Sequence, residues 1–156
     1  MEKVVFDINV FDVLIEDHEF NQVYNQAKDL GLINLLTTRV HLDQANQIKD
    51  ITKRDMILRV INSTGTTITY GEIPVLSRPG WSTPAPSGTL EKILGDQAAN
   101  DGNMYDALLA STSFHEADIF VTNDIRLRNR CQNLKKRVMT IQEFKSYLRN
   151  LLLKKT

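Results

Sequence analysis

A short apolar run that ends on polar residues limits the fold more than any other part of the chain. The run Ile119-Phe120-Val121 is rich in β-forming residues and is followed at once by Thr122-Asn123-Asp124. Uninterrupted apolar strands of this kind are typical of parallel sheets that are covered on both faces. Before this run, mostly small side chains recur at helical spacing, at Ala107, Ala110, Ser111 and Phe114. The pattern predicts a helix followed by a buried strand, and ligands of such sheets bind beyond the carboxyl ends of the strands.

Length and charge favour one globular domain without a global attraction to nucleic acid. The 156 residues are 42% apolar, which suffices for one core, and Lys+Arg and Asp+Glu are balanced at 19 each. Cys131 is the only cysteine, so an internal disulfide and a cysteine-based zinc site are excluded. The first residues resemble neither a signal peptide nor a membrane span. We therefore expect one domain over residues 1–156 in the cytoplasm, with no membrane partner.

A second strand of this type is predicted at the N-terminus. Val4-Val5-Phe6 is apolar and ends at Asp7. From about Val10 to Leu30 the apolar residues follow helical spacing, which predicts one helix that Gly31 ends. His18 lies among acidic neighbours, so we expect it to be solvated rather than a metal ligand.

The next predicted strand, Ile33–Thr37, leads into a helix that Thr37 or Thr38 caps and that runs to about Ile48. On that helix Gln44 shares the inward stripe, whereas Asp43 is rotated by about 100° toward solvent. A further helix is predicted over Lys53–Asn62, with four residues facing inward: Met56, Ile57, Val60 and Ile61.

The rest of the chain is predicted to combine an inserted segment with a final strand and helix. Turn residues fill the stretch from Thr66 to Gly88, which reads as an inserted loop or hairpin with short edge strands. A short helix at Leu90–Leu94 and a turn at Asn100–Gly102 would return the chain to the sheet. Val138–Thr140 is predicted as the last strand and Ile141–Leu153 as an amphipathic helix.

Three carboxylates fall where predicted strands and helices meet, namely Asp7, Asp106 and Asp124. Taken singly, Asp106 and Asp124 would serve as helix-capping residues. Taken together they would repel, because two unit charges about 5 Å apart interact by roughly 3 kcal/mol at an effective dielectric constant near 20. Mg²⁺ or Mn²⁺ would relieve this repulsion and leave room for a phosphate oxygen and a water. The sequence therefore predicts a site that cleaves phosphodiester bonds.

Four segments of the chain resemble PIN domains of the VapC-like toxin ribonuclease kind. They are Val4–Val10, Thr37–Gln44, Asp106–Ala110 and Ala117–Asp124. The resemblance implies a three-layer α/β/α sandwich with a central parallel sheet and a metal-dependent endoribonuclease activity. It assigns Asp7, Asp106 and Asp124 to three of the family's acidic metal-binding positions, and Asn9 and Thr122 to its supporting polar positions.

The second acidic position of the family differs in this chain. Where the family has glutamate on the second helix, this chain has Gln44, preceded by Asp43. Glutamine supplies no charge, so the metal site would be weaker. Asp43 is the alternative acid at this position, and the candidate catalytic set is Asp7, Asp43, Asp106 and Asp124.

A PIN-like fold that no longer cleaves and instead binds RNA or a protein is the main alternative. Three arginines after Asp124, namely Arg126, Arg128 and Arg130, suit RNA binding in either case, because phosphate contacts depend on charge. A solvated basic face is the simpler interpretation of the same residues. RNA is the expected substrate, and an antitoxin protein and a second copy of the chain are candidate partners.

Overall fold

The structure is a computed structural model, which describes residues 1–64, 116–131 and 137–155 and the backbone of 67–68. The described strands are β1 (Glu2–Phe6), β2 (Ile33–Thr38), β3 (Thr67–Ile68), β4 (Ile119–Val121) and β5 (Arg137–Met139). The described helices are α1 (Ile8–Glu16), α2 (His18–Asp29), α3 (Arg39–Asn46), α4 (Ile51–Ser63), α5 (Ile125–Cys131) and α6 (Ile141–Leu153).

The five described strands form one parallel sheet with β1 at its centre. Their order is β3-β2-β1-β4-β5, and Val4 of β1 lies beside Leu35 of β2 and Ile119 of β4. This confirms the predicted α/β class with a central parallel sheet. The sandwich layering of the helices stays a prediction. The short strand β3 falls at the start of the predicted insertion and pairs with the end of β2, so this part of the insertion is an edge strand.

Both faces of the sheet are buried, as the uninterrupted apolar strands require. Val4 and Val5 point to opposite faces because side chains alternate along a strand, and neither is exposed to solvent. On one face Phe6 lies at the centre of an aromatic cluster. Its ring is 5.6 Å from those of Phe11 and Phe144, and both pairs meet edge to face. Phe6, which directly precedes Asp7, is therefore held in place by the aromatic core.

The predicted single helix from Val10 to Leu30 is wrong, because the chain forms two helices that meet at Asp17. The backbone of Asp17 is extended, at φ −89° and ψ 102°, and its side chain accepts a hydrogen bond from the Phe20 amide at 3.0 Å. This N-cap starts α2 in a new direction, while apolar spacing continues across the break. Gly31 follows α2 at φ +66°, the left-handed conformation that glycine adopts without strain.

The remaining described helices lie near their predicted positions, but α3 ends at Asn46 rather than near Ile48, and α4 spans Ile51–Ser63 rather than Lys53–Asn62. Helix α6 begins and ends where predicted, and Thr140 and Glu143 form a capping box at its start. On α4, Ile57 and Ile61 are buried, but Met56 is 42% exposed and does not face inward. No helix in the described part of the chain is long and apolar enough to cross a membrane.

Several predicted features lie outside the described residues. They are residues 66 and 69–88 of the predicted insertion, the helix at Leu90–Leu94, the turn at Asn100–Gly102 and the helix that begins near Asp106.

Candidate functional site

The strand order reverses at the central strand β1. After β1 the chain passes to β2 on one side, and β4 later pairs on the other side. At such a reversal the connections that leave the neighbouring strands run in opposite directions. In open parallel sheets, ligands bind at this point, beyond the carboxyl ends of the strands. Asp7 follows β1 at this point, and Thr122 follows β4.

Asp7 is a buried carboxylate with one oxygen bonded and one without a donor among the described residues. Its side chain is 1% exposed, and Oδ2 accepts a 2.8 Å hydrogen bond from Thr122 Oγ1. No donor in the described part of the chain reaches Oδ1, although that atom is also buried. Burial raises the pKa of Asp7; hydrogen bonding to Thr122 and to the backbone of Ile8 opposes this shift, and the charge of Asp124 adds to it. A cation at Oδ1 would offset this cost of burying the charge.

Thr122 connects Asp7 to Asp124. Its hydroxyl is buried, donates to Asp7, and accepts a 3.1 Å hydrogen bond from the backbone N–H of Asp124. Asp124 is half-buried, and its Oδ1 accepts hydrogen bonds from the amides of Arg126 and Leu127. Asp124 therefore caps α5, as the simpler interpretation predicted, and is also held next to Asp7 through Thr122.

His41, which sequence reasoning did not select, connects the ends of β1 and β2. His41 is fully buried, and its Nε2 lies 2.6 Å from the carbonyl oxygen of Phe6, the residue before Asp7. Its Nδ1 lies 2.9 Å from the backbone nitrogen of Thr38. A carbonyl only accepts and an amide N–H only donates, so Nε2 carries the proton and Nδ1 accepts. Burial lowers the pKa of His41 to about 4, which keeps the imidazole neutral.

The other candidate residues on the first half of the chain differ in exposure. Gln44 is half-buried, and its Oε1 is buried with no hydrogen-bond partner in the described part of the chain. Asp43 is also half-buried, so the two residues do not show the predicted difference in burial, and the buried Oε1 atom of Gln44 is the only sign of its inward direction among the described contacts. Asn9, on the first turn of α1, is exposed. Asp106 lies outside the described residues.

The three arginines of α5 are not equivalent. Arg126 is exposed, whereas Arg128 is half-buried and forms a 3.3 Å ion pair with Glu143 at the start of α6. Arg130 is half-buried, like Arg128. Arg126 is thus the best placed of the three to meet a phosphate near Asp124.

Two polar residues that sequence reasoning missed fix the edges of this site. His41 takes the third helical position of α3 and completes a capping box with Thr38. The spacing Thr-x-x-His was visible, but capping boxes are usually recognised by Glu or Gln at that position. Asn123 Oδ1 accepts a 2.9 Å hydrogen bond from the Ile141 amide and so joins the end of β4 to the start of α6.

Two buried oxygen atoms among the described residues are of a type that hard divalent cations bind. Asp7 Oδ1 and Gln44 Oε1 are buried and without hydrogen-bond partners among the described residues, and carboxylate and amide oxygens are ligands of Mg²⁺ and Mn²⁺. No group of three or more His, Cys, Asp or Glu side chains that could hold a metal ion occurs within residues 1–64, 116–131 and 137–155. The described part of the chain thus provides a pair of acids and an amide.

Comparison of the chain with protein-family models, curated proteins and solved structures finds no match.

Proposed function

We propose that the protein is a metal-dependent endoribonuclease with a PIN-like fold and that Asp7 is its central metal ligand. The observation that carries this proposal is the buried Asp7 carboxylate, which has one oxygen without a donor in the described structure. A buried charge without a partner is costly unless a cation or several donors reach it. The position of Asp7 at the reversal of strand order supports the same conclusion.

The residues around Asp7 orient the site. Thr122 donates to Asp7 Oδ2, which fixes the carboxylate and leaves Oδ1 for a ligand. Asp124 and Gln44 supply further oxygens, and the sequence resemblance adds Asp106. When bound, Mg²⁺ or Mn²⁺ would lower the pKa of a water and offset charge on the phosphate. Arg126, exposed beside Asp124, contributes attraction for the RNA backbone without sequence preference.

RNA cleavage by four variants tests the proposal. With Mn²⁺ and a labelled single-stranded RNA, we expect weak cleavage by the native protein and none by Asp7→Asn. Gln44→Glu should strengthen metal binding and cleavage, because it adds a charge where the buried amide oxygen lies. Asp43→Asn should change little, and Asp55→Asn, on the exposed side of α4, serves as a matched control for the loss of one acid.

The outcomes show whether Asp43 or Gln44 occupies the metal-binding position of α3. If Asp43→Asn abolishes cleavage while Gln44→Glu is neutral, Asp43 is the acid of α3 and our assignment of Gln44 is incorrect. Removal of Asp106 should also abolish activity, as the resemblance implies.

A binding module is the second candidate function. It is favoured by the neutral Gln44 and by Asp124, whose Oδ1 is already occupied as a helix cap. If neither the native protein nor Gln44→Glu cleaves RNA at any metal concentration, but RNA binding is retained and weakens with salt, this candidate replaces the nuclease. In that case Arg126→Ala should weaken RNA binding more than Arg128→Ala, because Arg128 is paired with Glu143.

A further inference from the structure

The imidazole of His41 connects three parts of the chain that meet at the candidate site. It donates from Nε2 to the Phe6 carbonyl at the end of β1 and accepts at Nδ1 from the Thr38 amide at the end of β2. It also belongs to the first turn of α3 and packs edge to face on Phe11 of α1, with ring centroids 5.4 Å apart. A single side chain therefore fixes the positions of two strand ends and two helices.

Two residues close to His41 in the chain or next to its partner carry a buried oxygen without a hydrogen-bond partner among the described residues. Phe6 directly precedes Asp7, whose Oδ1 is buried without a donor, and Gln44 follows His41 by three residues on the same helix. Residues three apart lie on neighbouring parts of one helical face, so an imidazole that fixes the first turn of α3 also fixes the direction of Gln44.

We infer that His41 is a positioning residue, which holds the Asp7 carboxylate and the Gln44 amide at the separation that a shared divalent cation requires. This inference rests on the proposed function for its ligand, and it assigns a role to a residue outside the predicted site. Outer groups that orient ligand-bearing residues are expected to affect metal affinity without touching the metal.

His41→Leu removes both hydrogen bonds and keeps an apolar side chain in the buried position. His41→Gln retains an amide that donates toward Phe6 and an oxygen that accepts from Thr38, as in an ordinary capping box. Leu148→Ala is the matched control, because it opens a fully buried position of α6 away from the site. If His41→Leu does not fold, His41→Asn replaces it, because its shorter amide keeps a polar group but does not reach Phe6.

Two measurements on the full chain decide the inference. The first is the dissociation constant of Mn²⁺, followed by the electron paramagnetic resonance of the free ion. The second, made without metal, is hydrogen exchange at the Asp7 amide, which donates to the Val121 carbonyl at 2.9 Å. We expect His41→Leu to weaken Mn²⁺ binding by about tenfold and to accelerate exchange at Asp7, and His41→Gln to restore both.

The inference is overturned if His41→Leu leaves both quantities unchanged, or if Leu148→Ala changes both as much at equal loss of thermal stability. If the native protein binds no Mn²⁺, the proposed function fails, and hydrogen exchange alone then decides whether His41 positions Asp7. Faster exchange in His41→Leu with recovery in His41→Gln would still establish the positioning role.

Discussion

Replacing Asp7 by asparagine should stabilise the metal-free protein at neutral pH. The native carboxylate is buried, and one of its oxygens lacks a donor within the described structure. Asparagine keeps an oxygen to accept from Thr122 and removes the charge. A buried polar atom without a partner costs about 1–3 kcal/mol, and more when it is charged. Since asparagine leaves a neutral group there, we expect a net gain of about 1–2 kcal/mol.

The pH dependence of this gain follows from the raised pKa of Asp7. Burial raises the pKa of the Asp7 carboxyl group above its ordinary value of 3.8, so between pH 3.8 and that raised pKa the native state binds more protons than the unfolded state. Native stability therefore falls as the pH rises from 3.8 to the folded pKa. The advantage of Asp7→Asn should be complete at neutral pH and should disappear near pH 3.

Thermal unfolding of both proteins from about pH 3 to pH 7 provides the measurement. For a domain of this size, a gain of about 1–2 kcal/mol corresponds to a rise in Tm of about 2–8 °C. Asp55→Asn, an exposed change of the same chemistry, corrects for general charge effects. Equal stability of Asp7→Asn and native protein at pH 7, or a difference that does not vary with pH, would refute the reasoning about the buried charge.

Binding of a metal ion should reduce the stability difference between Asp7→Asn and the native protein. A cation that binds only the native site at ten times its dissociation constant adds about 1.4 kcal/mol. The native protein should gain this stability with Mn²⁺, and Asp7→Asn should not.

Three further predictions concern the framework. Phe144→Ala should lower the free energy of unfolding in urea by about 3–5 kcal/mol, because a fully buried aromatic ring is lost. Thr140→Ala should lower it by about 1 kcal/mol through loss of the α6 cap, and an unchanged urea midpoint would count against that cap. The Lys145 hydrogen bond lowers the pKa of Asp17, so native stability should be lost as pH falls below about 4, and Lys145→Met should flatten that part of a urea-midpoint profile.

The strands and the final helix could be predicted from the sequence because their patterns involve only residues close together in the chain. Val4–Phe6 and Ile119–Val121 are short apolar runs bounded by polar residues, and both are strands of the parallel sheet. Ile141–Leu153 combines a capping box with regular apolar spacing, and its bounds agree with the structure.

The helix break at Asp17 and the role of His41 could not be predicted in the same way. Apolar spacing continues across Asp17, so periodicity alone predicts one helix, and only the preference of aspartate for N-caps pointed to a break. His41 is defined by a bond to Phe6, which is 35 residues away in the chain. No local pattern encodes such a contact, whereas the positions of Asp7 and Thr122 at strand ends were apparent from the runs before them.

The hydrogen bond between Asp7 and Thr122 joins residues that are 115 positions apart. Contacts of such separation form late, because a long loop must close before they contribute to stability. A nascent chain that ends before β4 has the central strand and Asp7 but has neither Thr122 nor Asp124 to place beside it. The hydrogen bond between Asp7 and Thr122 therefore forms only after β4 has been synthesised, and fragments that end before β4 should lack it.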